Sequence, residues 1–252
     1  MTFDVKHAAK QFWEDGYIVI PGFFSSADLR RIEPELEAYV RDVAPQLKVG
    51  EIHYENPPSK AIKSMFRMQD HADFFRQLAY DDRLIGLMRA IFPEGEVICR
   101  DVGFFGKAAR EGSITPPHQD NAFNFWTPPY GLKASLALDP ATPENGAMWV
   151  QKHSHKLGLL PHRPSGVLGF SQSLVEPVDT QEYPEAQLCM QPGDLALHHT
   201  DCIHRSEANH TDQARRMLSF IYRSSVAVRD ESRFAEYQNQ LREQTMGVSG
   251  IH

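Results

Sequence analysis

From about residue 96 onward, the sequence is a series of short apolar segments separated by turn residues. The segments cover residues 97–106, 132–138, 147–151, 166–171, 186–190, 194–199 and 216–224. Strand-length runs bounded by Gly, Pro and Asn are typical of an antiparallel sandwich or barrel. We therefore predict that this part of the chain forms a mainly β domain of the jelly-roll kind, with a pocket between two sheets.

The first 95 residues and the end of the chain show a helical pattern instead. Apolar residues at helical spacing predict helices over about 6–13, 25–40, 71–79, 81–92 and 229–244, with a brief strand at 17–21 and a turn-rich segment at 47–66. No repeat or flexible linker divides the chain. We expect one domain over residues 1–252, with a mainly helical flank (about 1–95), a jelly-roll core (about 96–225) and a C-terminal helix (about 226–252).

Charge and cysteine content argue against several classes of protein. The chain has 26 Lys and Arg against 33 Asp and Glu, a net charge of -7, and no basic run that would suit nucleic acid or an anionic membrane. Its three cysteines are odd in number and widely spaced, which disfavours a disulfide framework or a thiolate zinc site. No apolar run approaches the roughly 18 to 20 residues of a membrane span, and charges interrupt any N-terminal signal sequence. We expect a cytoplasmic protein, and the sequence leaves its oligomeric state open.

Histidine is the unusual entry in the composition. There are 12 histidines, and four of them begin an H-x-D tripeptide, at His71, His118, His199 and His210. Two histidines and one carboxylate form the facial triad that binds non-haem iron(II) and leaves coordination positions open. Because alternate residues of an extended segment point to the same side, an H-x-D tripeptide in a strand supplies two such ligands to one metal.

The sequence context separates the four tripeptides. His71-Ala72-Asp73 lies in a predicted helix, where residues two apart point in different directions. His210-Thr211-Asp212 lies in a polar loop, and His199-Thr200-Asp201 follows a predicted strand, where it either supports a metal site or ends the strand. His118-Gln119-Asp120 follows Pro116-Pro117, which favour extended backbone, and precedes a run of aromatic and amide side chains. This last tripeptide is therefore the best candidate for a metal site at the mouth of a pocket.

Five short motifs occur in a fixed order along the chain. They are Phe12-Trp13-Glu14-Asp15-Gly16-Tyr17, the His118-Gln119-Asp120 tripeptide, Glu144-Asn145-Gly146 with Ser154-His155-Lys156, Gly193-Asp194, and His204-Arg205-Ser206 with Arg215. In this order they resemble the phytanoyl-CoA dioxygenase family of iron(II)- and 2-oxoglutarate-dependent oxygenases. The resemblance covers about residues 11–225 and implies a double-stranded β-helix, the cupin-like jelly roll, with helical flanks.

The resemblance implies a metal site and a co-substrate site. His118, Asp120 and His204 would bind iron(II). Arg215, eleven residues after His204, would pair with the far carboxylate of 2-oxoglutarate, for which a planar guanidinium is well suited. Strand alternation alone leaves Arg215 and Arg216 equally placed for that role.

Further co-substrate contacts follow from the same resemblance. Ser206 matches a hydroxyl contact, Gln119 matches the residue between the first two ligands, and Arg67 corresponds more loosely to a basic contact. A carboxylate at Asp120 favours hydroxylation or a related oxidation, because iron halogenases of this group have Gly or Ala there.

The implied reaction is hydroxylation of a small molecule with O2, while 2-oxoglutarate becomes succinate and CO2. Candidate substrate contacts come from the turn-rich segment and from the run after the second ligand: Tyr54, Asn56, Asn121, Asn124 and Trp126. Their mixture of phenol, amide and indole groups favours a small, partly polar metabolite.

Two other classes of protein stay open at this point. A non-redox metal-dependent cupin would use the same ligands but would have no use for Arg215. A catalytically silent jelly-roll binding module would tolerate loss of His204. The sequence assigns no role to four further histidines, which are His153, His162, His198 and His199.

Overall fold

The computed structural model describes residues 4–55, 59–167 and 170–248. The α-helices are α1 (Val5–Asp15), α2 (Ser26–Ala38), α3 (Met68–His71), α4 (Asp73–Ala79), α5 (Asp82–Ile91), α6 (Asn121–Asn124) and α7 (Glu231–Val248). The strands are β1 (Tyr17–Ile20), β2 (Ile52–Tyr54), β3 (Ile62–Met65), β4 (Val97–Lys107), β5 (Thr115–His118), β6 (Trp126–Thr127), β7 (Gly131–Ala137), β8 (Met148–Gln151), β9 (His162–Val167), β10 (Phe170–Leu174), β11 (Glu185–Leu188), β12 (Leu195–His199), β13 (His204–Ser206), β14 (Arg215–Ser224) and β15 (Val228–Arg229). A π-helical turn (Tyr39–Val43) and a 3-10 turn (Ala44–Gln46) extend α2. Among the described residues, no helix combines the length and the apolar character that a membrane span needs.

Two antiparallel sheets carry most of the strands. The large sheet has the order β1-β12-β7-β14-β4-β3-β2, and the small sheet has the order β11-β8-β13-β5. One cavity is lined by residues of both sheets, among them Phe105 and Ser135 from the large sheet and Met148 and Ser206 from the small one. The two sheets therefore face each other across this cavity, as the jelly-roll prediction requires.

The helices cover the outer face of the large sheet. Leu218 and Phe220 of β14 pack in one apolar core with Phe12 of α1 and Leu84 of α5. Met217 lies in a second core, between the sheets. Because side chains alternate along a strand, the odd-numbered residues of β14 face inward up to residue 221.

The same alternation separates the two adjacent arginines. Arg215 shares the inward face of Met217 and lines the cavity. Arg216 points to the helical side, where its guanidinium lies 3.0 Å from Glu33 of α2 and 2.8 Å from Asp139. The choice that the sequence left open therefore falls on Arg215 as the residue inside the jelly roll.

Local sequence signals explain the first two helices. The Asp4 side chain accepts hydrogen bonds from the backbone N–H groups of Lys6 and His7 at the start of α1, and Gly16, with φ +87°, ends it. Ser25 and Asp28 form a capping box at the start of α2. The turn at Gly16 places β1 directly after α1, and β1 pairs with β12 of the large sheet.

Four predicted elements differ from the structure. The turn-rich segment 47–66 contains β2 and β3, which extend the large sheet beyond β4. The predicted strand 166–171 is replaced by the antiparallel pair β9 and β10. Extended backbone at Ala72 divides the predicted helix 71–79 into α3 and α4, and the C-terminal helix begins at Glu231 because β15 occupies the preceding residues. The flank is therefore not purely helical, since β1, β2 and β3 belong to the large sheet.

Candidate metal and co-substrate site

Three side chains from two paired strands lie together at one end of the small sheet. His118 is the last residue of β5, His204 is the first residue of β13, and the two are direct partners in the antiparallel register. Asp120 follows where the chain leaves β5. One ligand atom from each residue lies within 4.8 Å of the other two, and all three residues are buried. The structure thus brings together the three residues that the resemblance assigned to iron.

Both histidines direct Nε2 toward the carboxylate. Nδ1 of His118 lies 2.9 Å from the carbonyl oxygen of Pro116, and Nδ1 of His204 lies 3.0 Å from that of Cys202. A carbonyl oxygen only accepts, so each Nδ1–H donates and the lone pair is on Nε2. The Nε2 atoms of His118 and His204 lie 3.6 and 3.8 Å from Oδ1 of Asp120. This spacing is close to that of three ligands at about 2.0–2.2 Å from a single ion.

The protonation states also suit metal binding. Burial by itself would raise the pKa of Asp120, but Lys133 and the neighbouring histidines outweigh it, and the pKa lies well below its ordinary value. Burial lowers the pKa of His204 well below its ordinary value, and the neighbouring histidines add to this effect. At neutral pH the carboxylate is charged and this imidazole is neutral, which are the forms that bind a metal.

The second oxygen of Asp120 has its own partners. Nε2 of His198 lies 3.0 Å from Oδ2, and since a carboxylate only accepts, the imidazole N–H donates. Nζ of Lys133 lies 3.8 Å from the same oxygen and 4.1 Å above the ring centre of Phe105. His198 and Lys133 are paired on β12 and β7. Together they hold the carboxylate so that Oδ1 faces the two ligand histidines, a role that sequence reasoning missed.

The residues of the other three H-x-D tripeptides make contacts of other kinds. His71 pairs with Glu51 at 3.5 Å, while Asp73 pairs with Arg76. Nδ1 of His199 accepts a hydrogen bond from the backbone N–H of Asp201, within a buried turn after β12. Asp212 forms a surface ion pair with Arg110, in the loop where the last tripeptide was expected.

A cavity between the sheets extends from the ligand cluster, and it is here called the inner cavity. Its wall includes His118, His204, Ser206, Arg215, Lys63 and Lys107. Nη2 of Arg215 donates to the carbonyl oxygen of Gly146 at 3.1 Å, whereas its buried Nε has no hydrogen-bond partner among the described residues. Burial lowers the pKa of Arg215 to about 10, so the guanidinium is charged at neutral pH. A buried guanidinium with an unpartnered N–H is suited to bind a carboxylate.

Besides Lys133, two further lysines add positive charge to the inner cavity. Lys107 of β4 is the direct register partner of Arg215, and burial together with that arginine lowers the pKa of Lys107 to about 7. Burial also lowers the pKa of Lys63 of β3. The opposing charge is Glu55, whose buried Oε2 has no hydrogen-bond partner among the described residues. Sequence reasoning missed both lysines, because β3 lies in the segment predicted to be irregular and no motif marks the end of β4.

Two expected co-substrate contacts lie elsewhere. The Gln119 side chain donates to the carbonyl oxygens of Gly158 and Asp201, at 2.8 and 2.7 Å, and is fully buried. The alternation that turns its two neighbours toward the metal site turns Gln119 away from it. Arg67 is not in the wall of the inner cavity; its side chain is 60% exposed and pairs with Asp70 at 2.7 Å.

Two of the unassigned histidines brace the backbone around the ligands. Nε2 of His162 accepts the backbone N–H of Gln119 at 3.1 Å, and burial lowers the pKa of His162 to about 4, which keeps it neutral. Nδ1 of His199 accepts the backbone N–H of Asp201, and burial lowers the pKa of His199 to about 3, so it is neutral as well. His153 lies near the surface, where its Nδ1 is 2.8 Å from the carbonyl oxygen of Glu14.

The expected substrate contacts are dispersed in the structure. Asn124 lines a second cavity. Asn121 and Trp126 are buried and brace each other, since Oδ1 of Asn121 accepts the backbone N–H of Trp126 at 2.8 Å. Tyr54 is exposed on β2. Asn56 lies outside the described residues.

The second cavity, here called the outer cavity, has a volume of about 610 Å³. Its wall includes Arg67, Gln69, Arg76, Arg100, Asp101 and Asn124. The Asn124 amide donates to the backbone carbonyl of Asp120 at 3.0 Å, and Ile221 in the same wall is the register partner of Lys133. The outer cavity therefore lies next to the ligand cluster, since Asn124 of its wall contacts the backbone of Asp120.

Comparison with known proteins shows the family to which the chain belongs. Residues 12–217 match the family model described as phytanoyl-CoA dioxygenase. Methylphosphonate hydroxylase from Gimesia maris is 27% identical over 215 residues, which are 83% of this chain and 76% of that protein. Phytanoyl-CoA dioxygenase domain-containing protein 1 from Bos taurus is 30% identical over 65% of this chain and 58% of its own length. Ectoine dioxygenase from Stutzerimonas stutzeri is 29% identical over 58% of this chain and 49% of its own length. This chain thus spans between half and three quarters of the length of these relatives.

Solved structures share the fold. EctD from S. alaskensis with 2-oxoglutarate and 5-hydroxyectoine has a TM-score of 0.73 at 22% identity, covering 89% of this chain and 78% of that one. The epimerase SnoN in complex with Fe3+, alpha ketoglutarate and nogalamycin RO has a TM-score of 0.71 at 22% identity, covering 89% and 85%. These similarities confirm the predicted fold class. Because the family model covers most of the sequence, the chain belongs to the phytanoyl-CoA dioxygenase family.

Proposed function

We propose that the protein is an iron(II)- and 2-oxoglutarate-dependent dioxygenase that hydroxylates a small-molecule metabolite with O2 and releases succinate and CO2. The observation that carries this proposal is the composition of the inner cavity. One end has a cluster of two histidines and one carboxylate, and the other end has the buried, unpartnered N–H of Arg215. A dicarboxylate that binds a metal at one end and a guanidinium at the other fits this arrangement.

The three clustered residues suit iron(II). His118, Asp120 and His204 offer two neutral imidazoles and one carboxylate, the donor set of facial triads that leave positions open for further ligands. Bound iron(II) would supply the site at which oxygen is activated while 2-oxoglutarate is decarboxylated. The hydrogen bond from His198 to Asp120 fixes which carboxylate oxygen is available to the ion.

Side chains farther along the inner cavity would bind the co-substrate. Arg215 would hold the far carboxylate through two parallel N–H donors, and the Ser206 hydroxyl in the same wall would add a hydrogen bond. Lys107 and Lys63 would increase the positive potential around that carboxylate. Arg215, Ser206 and Lys107 are buried, and burial strengthens each of these interactions.

Two relatives support a small-molecule substrate. One is named for hydroxylation of methylphosphonate and the other for dioxygenation of ectoine. A non-redox enzyme that used the same three ligands would have no use for a buried guanidinium at the far end of the cavity. The presence of Arg215 therefore favours the oxygenase over that alternative.

Anaerobic reconstitution tests the proposal. Purified protein is mixed with iron(II) and 2-oxoglutarate, and the visible absorption spectrum is recorded before oxygen is admitted. We expect a weak charge-transfer band from the chelated 2-oxoglutarate, followed by succinate release when oxygen is added. Protein that shows neither the band nor succinate would contradict the proposal.

A further inference from the structure

A β-bulge shapes the wall of the outer cavity. Along β4 and β14 the register pairs Ile221 with Asp101, but the next residue, Tyr222, pairs with Cys99. Arg100 is thus an extra residue on β4 without a partner on β14. A bulge of this kind interrupts the alternation of side chains. As a result Cys99, Arg100 and Asp101 all line the outer cavity, although they are consecutive in a strand.

Most charges in this wall are already paired with neighbours. Arg67 pairs with Asp70 at 2.7 Å, and Arg76 pairs with Asp73 at 3.0 Å. The guanidinium of Arg100 is exposed and makes no hydrogen bond or ion pair with the described residues. Once the internal pairs are set aside, Arg100 is the cation of this wall that is left for a ligand.

Asp101 is the corresponding anion. Its Oδ1 accepts the backbone N–H of Arg67 at 2.8 Å, whereas its Oδ2 is enclosed and has no hydrogen-bond partner among the described residues. Lys133 and Arg67 lie near enough to lower the pKa of Asp101, but burial has the larger effect and raises it to about 6. An enclosed carboxylate oxygen without a donor is unfavourable, and a bound ammonium group would remove that cost.

The two groups are next to each other and close to the reaction centre. Arg100 and Asp101 are adjacent in the chain and line the same cavity, so that its wall carries both charges at the bulge. Asp101 is opposite Ile221, whose other strand partner is Lys133, and Nζ of Lys133 lies 3.8 Å from Asp120. A molecule bound by this pair would therefore lie beside the metal ligands, on the side of the outer cavity.

We propose that the substrate is a small zwitterion, such as an amino acid or an N-alkylated relative, whose oxyanion binds Arg100 and whose ammonium group binds Asp101. This inference rests on the proposed oxygenase function and specifies its substrate class. A neutral molecule would leave both charges of the bulge unpaired. A plain anion would leave Oδ2 of Asp101 without a donor, so both alternatives fit the wall less well.

The test uses matched sets of compounds and the whole chain loaded with iron(II) and 2-oxoglutarate. Each common amino acid is supplied as the free zwitterion, as its N-acetyl derivative, which keeps only the anion, and as its methyl ester, which keeps only the cation. Substrate-stimulated succinate release is measured for each form. We expect one or more zwitterions to stimulate release at least tenfold more than their two derivatives.

Two variants and a control connect this selectivity to the bulge. Asp101→Asn keeps the acceptor for the Arg67 amide and removes the charge, and Arg100→Met removes the guanidinium. We expect each to reduce the stimulation by a zwitterion about tenfold or more, while the visible band with 2-oxoglutarate keeps its wild-type intensity and affinity. Arg89→Gln, an exposed arginine on α5 away from both cavities, should behave as wild type.

The outcomes separate this inference from the proposed function. Equal stimulation by N-acetyl derivatives, or stimulation by no zwitterion at all from a protein that forms the band, would overturn the zwitterion and leave the oxygenase intact. Loss of the band in Asp101→Asn and Arg100→Met would overturn it as well, because the two residues would then act on the fold or the metal site. Absence of the band in the wild type would instead be a failure of the proposed function.

Discussion

The inner and outer cavities are lined by opposite ends of one strand, β4, yet they are built in different ways. At the inner end, Lys107 and Phe105 follow strict alternation, and the register with β14 is unbroken from Arg215 to Ile221. At the outer end, the bulge at Arg100 interrupts that alternation. Positive charge dominates the wall of the inner cavity, whereas in the outer wall the groups left without a partner among the described residues are one guanidinium, of Arg100, and one carboxylate oxygen, of Asp101.

If both proposals hold, this difference explains how one sheet binds two kinds of ligand. A regular antiparallel pair fixes each side chain relative to its partner, so Arg215, Lys107 and the ligand cluster have one relative arrangement. A bulge, the loops after β5 and the short helices before β4 carry no such constraint. The inner cavity is therefore suited to a co-substrate of fixed shape. The outer cavity is suited to a ligand that binds side chains presented by irregular backbone.

Removal of a metal ligand should abolish both co-substrate chelation and turnover, because the metal site lies between the two cavities. For His204→Ala we expect loss of the visible band with iron(II) and 2-oxoglutarate and loss of all succinate release, with the fold retained in circular dichroism. The control is His210→Ala, which removes the first residue of another H-x-D tripeptide in an exposed loop. A band of wild-type intensity in His204→Ala, or its loss in His210→Ala, would contradict the assignment of the metal site.

The next largest effect should be confined to the inner cavity. Arg215→Gln should weaken 2-oxoglutarate binding about 30-fold or more, because loss of one partner of a buried charge pair costs about 2–5 kcal/mol. Iron(II) affinity in the absence of 2-oxoglutarate should be unchanged. Arg216→Gln is the matched control, because its side chain pairs with Glu33 and Asp139 on the opposite face of β14. Titration of the visible band measures both variants, and equal losses in the two would remove the distinction between the faces.

Loss of the hydrogen bond that supports Asp120 should have an intermediate effect, on iron(II) affinity. His198→Phe removes the N–H that donates to Oδ2 and should lower iron(II) affinity about 10- to 100-fold, the range typical of residues that orient a metal ligand. His198→Gln restores a donor at a similar position and should recover part of that loss. Competition with a fluorescent metal chelator measures the affinity directly, without turnover. If the Gln variant is as weak as the Phe variant, the hydrogen bond does not orient the carboxylate.

Much of the inner site was accessible from the sequence, for a physical reason. His118 ends a strand and Asp120 follows two residues later, so the spacing predicts that both face one side. His204 and Arg215 belong to motifs of the family. The turn-rich segment gave no such signal, since β2 and β3 are only three and four residues long, and Lys63 was missed with them. Gln119 was assigned to the co-substrate although the same alternation turns it away.

The outer cavity could not have been predicted in this way. The bulge at Arg100 depends on the pairing of β4 with β14, two segments more than 100 residues apart along the chain. Hydrophobic pattern within β4 does not reveal which residue has no partner. The roles of His198 and Lys133 were hidden for a similar reason, because they meet Asp120 through contacts between strands rather than through a local motif.

The smallest expected effect is a pH dependence specific to the inner cavity. Burial and Arg215 lower the pKa of Lys107 to about 7, so this lysine is charged below pH 7 and becomes neutral as the pH rises above it. The carboxylates of 2-oxoglutarate stay negative throughout this range. The affinity for 2-oxoglutarate should therefore fall as the pH rises above 7, by at most about tenfold per pH unit.

Anaerobic titration of the visible band at about pH 6.5, 7.5 and 8.5 measures this dependence. Lys107→Gln should bind 2-oxoglutarate more weakly at the lowest pH and show a flatter profile, because the titrating charge beside the far carboxylate has been removed. Lys60→Gln replaces an exposed lysine and should keep the wild-type slope. A slope that persists in Lys107→Gln would contradict the role of Lys107 and would assign the pH dependence to another group of the same wall, such as Lys63, whose pKa is also lowered by burial.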